Sequence, residues 1–155
     1  MNKSDSYVVF TLDDLKFGLG LSCVERILRI VEITPLPRAP EIVTGVINIQ
    51  GQIVPVYNIR RRFNLPEGEK SLNGQLIMAN TSKNKVAIVA DIVIGLVECT
   101  RQEVVPTADV LRGMDYVEGI IKQADGLIII HDLDKFLSPG ERKILTTAIK
   151  GHKKG

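Results

Sequence analysis

The side chains best equipped for chemistry in this chain are few: His131 beside Asp132, the thiols of Cys23 and Cys99, the run Arg60-Arg61-Arg62, and His152 near the end. A histidine next to an aspartate suggests a general-base pair. Adjacent residues of an extended strand point to opposite faces, however, so His131 and Asp132 cannot form a dyad by adjacency. The expectation for His131 is a partly buried strand histidine with no catalytic or phosphoaccepting role. Cys23 and Cys99 lie in apolar surroundings, without a CxxC or a nearby histidine, which predicts buried reduced thiols and neither a disulfide nor a metal pair. Three arginines can grip phosphate. Their aromatic neighbours are only Tyr57 and Phe63, and the chain has no Trp, so the stacking platform of a single-strand binder is thin and a solvated hairpin end is expected. No GxxxxGKS loop, HExxH helix or clustered His/Cys/Asp set occurs. The sequence therefore predicts no catalytic residues, no cofactor, no metal and no enzyme.

What must position these groups is a chain of 155 residues, 45% hydrophobic and 25% charged. That profile is globular, and this length buries roughly two-thirds of the surface its unfolded form exposes. A single domain over residues 1–155 is expected. The net charge of +2 gives no electrostatic reason for nucleic acid or an anionic membrane as main partner. No apolar run approaches the ~20 residues of a bilayer span, and the opening "MNKSDSYVVF" lacks a secretory core and cleavage site. The reading is cytoplasmic, without membrane insertion.

Short β-rich runs recur: "YVVFTL", "LKFGLG", "GVINI", "QIVPVYNI", "QLIMA", "KVAIVADIV", "VEGIIKQ" and "GLIIIHDL". Turn residues fall between them at Asp13-Asp14, Gln50-Gly51, Asn73-Gly74, Lys83-Asn84 and Asp125-Gly126, so the class is all-β, sandwich or barrel. Both faces of "KVAIVAD" are mostly apolar, which predicts a central strand. In "LSCVERIL", Leu21, Val24, Ile27 and Leu28 have helical spacing and suggest a short turn of helix. The clearest helix is the last: Ser138, Pro139 and Glu141 form an S-x-x-E capping box with proline at the first helical position. The basic segment 150–155, "KGHKKG", reads as a flexible tail with His152 solvated.

The chain also repeats itself. Shifted by 74 (119 minus 45), "GVINIQGQIVPVYNIRRRF" lies without a gap over "GIIKQADGLIIIHDLDKFL", glycine on glycine and apolar on apolar. A weaker match at a shift of 69 (77 minus 8) places Val8 over Ile77, Leu19 over Ile88, Val24 over Val93 and Ile27 over Leu96. Two related β-subdomains follow. Gly45 lets another backbone or side chain approach its strand closely. Pro55 marks an edge or bulge, because it removes a ladder donor.

From "FTLDDLKFGLG" through "PLP", "GVIN", "GQIVPV" and "RRRFNLP", and on through "VAIVADIVIGLVE" and "VEGIIKQADGLIIIHDLDKFL", residues 7–137 closely resemble the CheW family of bacterial chemotaxis coupling proteins. The resemblance implies a pair of five-stranded SH3-like β-barrel subdomains sharing a core, with a C-terminal α-helix. It implies a non-catalytic adaptor that joins chemoreceptor signalling tips to the regulatory domain of the histidine kinase CheA, at membrane-associated arrays. By the same resemblance the receptor groove falls at Val24, Gly45 and Gln50, and the kinase contact near Val93, Leu96 and Gly119. The family usually reads V-x-E-I and N-L-R-G, with an acid and a base where this chain has Arg26 and Gln50. That joint change alters the local charge where a receptor docks. Alternatives are an adaptor of another chemosensory pathway, for pilus motility or development, and a small-barrel nucleic-acid-binding protein.

Overall fold

The computed structural model describes residues 4–63, 65, 74–106 and 116–154. Asn73 of one expected turn, and Asn64 and Pro66 of the "RRRFNLP" motif, lie outside the described residues. Among those described, the strands are β1 (Ser4–Leu12), β2 (Leu15–Gly20), β3 (Val24–Arg29), β4 (Val43–Ile49), β5 (Gln52–Tyr57), β6 (Gln75–Asn80), β7 (Lys85–Ala90), β8 (Ile92–Thr100), β9 (Val104–Pro106), β10 (Val117–Gln123) and β11 (Gly126–His131). Two α-helices accompany them, α1 (Ile59–Arg62) and α2 (Pro139–Lys154).

The strands form two sheets, ordered β8-β1-β2-β11-β10-β9 and β3-β6-β7-β5-β4. The internal repeat is visible in the element bounds. Adding 74 to the bounds of β4 and β5 returns those of β10 and β11, and adding 69 to β1, β2 and β3 lands within two residues of β6, β7 and β8. Each sheet takes two opening strands from one half of the chain and three later strands from the other. The first sheet adds the three-residue β9 at its edge.

Burial follows this exchange. One core cluster draws Phe10, Phe17 and Leu19 from the first sheet, Tyr57, Ile77 and Ile88 from the second, and Leu145 and Ala148 from α2. Smaller clusters fill each sheet's other face, with Val9, Ile121 and Ile128 in one and Ile47, Val56 and Met78 in the other. Strand β7 is central, as its two apolar faces predict: Val86, Ile88 and Ala90 enter the shared core and Ala87 the second sheet's own cluster. Each fully buried Ile or Leu contributes roughly 1.5–3 kcal/mol, so this shared core is what holds the two sheets together.

Local signals behave as their physics requires. At α2 the Ser138 N–H donates to Glu141 Oε1 (2.9 Å) and the Glu141 N–H to Ser138 Oγ (3.1 Å), a reciprocal capping box. The helix continues through Lys154, into the basic segment. The β4–β5 turn has two residues, Gln50 (φ 52°) and Gly51 (φ 85°), both left-handed as a type I′ hairpin demands. Strand β5 pairs with β7 only at Val56 and Tyr57, so Pro55 stands just before that ladder begins, where its missing donor leaves no gap.

Helical spacing in "LSCVERIL" yields only one 3-10 turn, Leu21–Cys23, before the chain becomes β3. Pairing with β6 satisfies the inward-facing side of that backbone from Val24 to Arg29, and favours the extended form over a short isolated helix, which is marginal by itself.

The arginine run is not a solvated hairpin end. Arg60, its side chain 13% exposed, reaches Asp13 Oδ2 through Nη1 and Asp91 Oδ2 through Nη2, both at 2.6 Å. Arg62 donates to the Phe136 carbonyl (2.7 Å) and to Glu141 (2.9 Å), with its guanidinium 5.3 Å from the Tyr116 and Phe136 ring centres. Arg61 donates to the Glu41 carbonyl. These guanidinium groups fasten turns and α2 to the body of the fold.

Candidate docking surfaces

His131 ends β11 in a nest of rings, 5.3 Å from Phe17 and Phe63, 5.9 Å from Phe136 and 6.2 Å from Tyr116. It is 3% exposed, and neither ring nitrogen has a hydrogen-bond partner among the described residues. Desolvation lowers its pKa to about 3, so at neutral pH it is an uncharged packing ring. Both thiols are free, and burial raises the pKa of each. Among the described residues no three His, Cys, Asp or Glu side chains are grouped to hold a metal ion. His131, Cys99 and the arginine run are thus inside or engaged, Cys23 is only half-buried with its thiol on the Gly20 carbonyl at 3.0 Å, and the His152 side chain lies outside the described residues. What the surface offers is strand edges.

Among the described residues, strand β8 ends the first sheet, with β1 on one side and no strand on the other. Val93, Val97 and Cys99 turn inward against the cores, while Ile92, Ile94 and Leu96 are 58%, 51% and 61% exposed. Such an apolar edge is a template for another protein's strand or apolar face, although its Val93 N–H is already taken by Gln75 Oε1 at 2.8 Å. Its counterpart in the other sheet is β3, also an edge. There Val24 packs inward against the shared core, but Glu25, Arg26 and Arg29 are exposed and Lys85 pairs with Glu25 at 3.1 Å. Charge blunts one edge and leaves the other open.

Gly45 and Gly119 are buried, and each is crossed by the chain's own backbone. Thr34 pairs with Val46 through two 2.8 Å hydrogen bonds, and a Cβ on Gly45 would overlap the Thr34 carbonyl. Strand β9 crosses Gly119 in the same way, putting Val104 Cγ1 2.5 Å and the Val105 carbonyl oxygen 3.0 Å from where a Cβ would stand. The close approach expected at Gly45 is therefore made from within the molecule.

Gln50 and Arg26 line one depression of about 220 Å³ with Glu25, Gln52, Met78 and Lys85. The structure brings these two together, and leaves Val24 half-buried and Gly45 buried. On the other side Leu96 is open, Val93 half-buried and Gly119 buried. Ile92 and Ile94 were not singled out from sequence. Their signal was the alternation in "DIVIGLVE", which is apolar on both faces although Asp91 has already turned the chain to a sheet edge.

Two interleaved sheets with a shared core, a histidine sealed among rings and one open apolar edge define a β-scaffold built for docking. The chain belongs to the CheW-like domain family, whose model matches residues 6–141. It is 28% identical to the chemotaxis protein CheW of Treponema pallidum over 86% of this chain and 82% of that one. It is 30% identical to protein FrzA of Myxococcus xanthus over 68% of this chain and 62% of that one. Among solved structures, the scaffolding protein CheW of Thermoanaerobacter tengcongensis superposes with a TM-score of 0.76 at 30% identity, covering 85% and 90% of the two chains.

Proposed function

We propose that this chain is a non-catalytic chemotaxis coupling adaptor, which docks the regulatory domain of the histidine kinase CheA on the β8 edge and a chemoreceptor tip near the Arg26–Gln50 depression. The observation that carries the reading is the contrast between two equivalent edges, β8 apolar and β3 charged. Leu96, with Ile92 and Ile94, supplies the kinase contact, while Val93 and Gly119 act from beneath as positioning residues. On the receptor side Gln50 and Arg26 make contact, Val24 supports β3, and Gly45 admits the Thr34 crossing. An adaptor of this kind changes kinase activity only through differential affinity for its active and inactive arrangements, with coupling of ~1–3 kcal/mol. It works in the cytoplasm at receptor arrays; no described helix is long and apolar enough to cross a membrane. Mixing the chain with a CheA regulatory domain and a receptor tip tests this. A ternary complex by size is expected, and no association at any attainable concentration would refute it. The likeness to FrzA supports a second reading, in which the same edges serve another chemosensory pathway.

A further inference from the structure

Helix α2 packs against the shared core through Leu145 and Ala148. A second stripe, Gly140, Lys143, Ile144, Thr147, Ala148 and Gly151, recurs at helical spacing and lines an open groove of about 970 Å³. Pro37 and Arg38 form the other wall. None of these residues belongs to β3 or β8, so the groove is separate from both edges described above.

Three observations indicate what it holds. Ile144 is 50% exposed, an apolar anchor on a stripe whose small neighbours allow a second helix to approach closely. The Thr147 hydroxyl is spent on the Lys143 carbonyl at 3.1 Å, so it offers the groove little polarity. The charges lining the groove are Arg38 and Lys143, with no carboxylate between them, and neither side chain has an ion pair or hydrogen bond among the described residues.

Arg38 is also strained. The turn closes from the Ala39 N–H to the Leu36 carbonyl at 3.3 Å, with Pro37 second and Arg38 third at φ 66°. That is the position of a type II turn where glycine is favoured. Strain kept at a groove wall marks a position held for its side chain.

We propose that this groove docks an amphipathic helix of a partner protein. Its apolar stripe seats on Ile144 and Ala148, and its carboxylates pair with Arg38 and Lys143. Symmetric pairing of two copies through this face fits poorly, because it would set these cations against their own counterparts.

The test uses the full chain, isotopically labelled, titrated by NMR with a synthetic helical peptide carrying Leu at i, i+3 and i+7 flanked by Glu, and with the same peptide carrying Lys for Glu. Shifts at the amides of Arg38, Ile144 and Thr147 are expected with the first peptide only. Ile144→Glu and Lys143→Glu should each weaken binding by about tenfold or more, and Ile92→Lys should leave it unchanged. Arg38→Gly should bind more weakly while melting at a higher temperature, since glycine relieves the turn. Absence of shifts, equal binding of the lysine peptide, or full affinity in Arg38→Gly would overturn the proposal. So would a concentration-dependent dimer by sedimentation that Ile144→Glu abolishes, which would assign the face to self-association.

Discussion

Arg60 and Asp134 stand at the same place in the two halves of the chain, 74 residues apart, and each ties its half to the turn of a β-hairpin. Arg60 grips Asp13 at 2.6 Å, and Asp134 accepts the Ser82 N–H at 2.7 Å; residues 13 and 82 are themselves related by the shift of 69. The same tie is made twice with opposite charge. The Ser82 N–H holds the Asp134 carboxyl below the usual aspartate pKa, and Arg60 joins a second turn by also binding Asp91.

Replacing Arg60 with Leu leaves Asp13 and Asp91 facing each other without their shared cation. A loss of about 1–3 kcal/mol is expected, toward the lower end because Asp13 is half-exposed. Asp134→Asn should cost less, since an amide oxygen still accepts the Ser82 N–H. Urea unfolding at low and high salt checks both, and the Arg60 effect should shrink as salt rises.

The buried His131 makes stability depend on pH in one direction. Its native pKa is near 3, and an unfolded histidine titrates near 6.5. The unfolded chain therefore binds the extra proton first as pH falls below about 6.5, and stability drops by up to ~1.4 kcal/mol per pH unit, reaching ~2 kcal/mol near pH 5. His131→Phe, another ring for the same nest, should remove that slope. Chemical denaturation of both proteins at pH 7 and pH 5 measures the difference.

Gly45→Ala and Gly119→Ala should both destabilise, unequally. At Gly45 the new methyl meets the backbone carbonyl of Thr34, which can yield only by moving the crossing segment. At Gly119 its nearest neighbour is a Val104 methyl, which can rotate. Overpacking costs typically ~1–3 kcal/mol, with Gly45 at the upper end and Gly119 at the lower. Thermal melts rank the two.

Leu96→Lys and Ile27→Lys alter equivalent positions on the two sheet edges. Both side chains are exposed, so folding should be nearly unaffected. Kinase regulatory-domain affinity should fall at least about tenfold for Leu96→Lys and little for Ile27→Lys. Equal losses, read by calorimetry, would erase the distinction between edges.

The double substitution Arg26→Glu with Gln50→Arg restores the charge arrangement usual in the family within one depression. Affinity for the chain's own receptor tip should change by about fivefold, as expected for a polar contact of ~1 kcal/mol. Unchanged binding would remove these residues from receptor choice.

Much of the architecture was legible because it is local or periodic. The capping box at Ser138, the type I′ turn at Gln50-Gly51 and the two-faced strand Lys85–Ala90 depend on neighbours within a few residues, and the 74-residue echo records a duplicated strand pattern. Those features settled a mainly β chain of two related halves ending in a helix. Tertiary structure decided the rest. That each sheet takes strands from both halves, that "VERILR" becomes an edge strand, and that the arginine run turns inward to Asp13, Asp91, Glu41 and Glu141 all depend on residues 20 or more positions apart. The glycines show the division most clearly: sequence marks Gly45 as a place where something comes close and aligns Gly119 with it, but only the fold reveals that at both it is the chain itself. Identifying a neighbour requires the long-range packing free energy, which no short window of sequence contains.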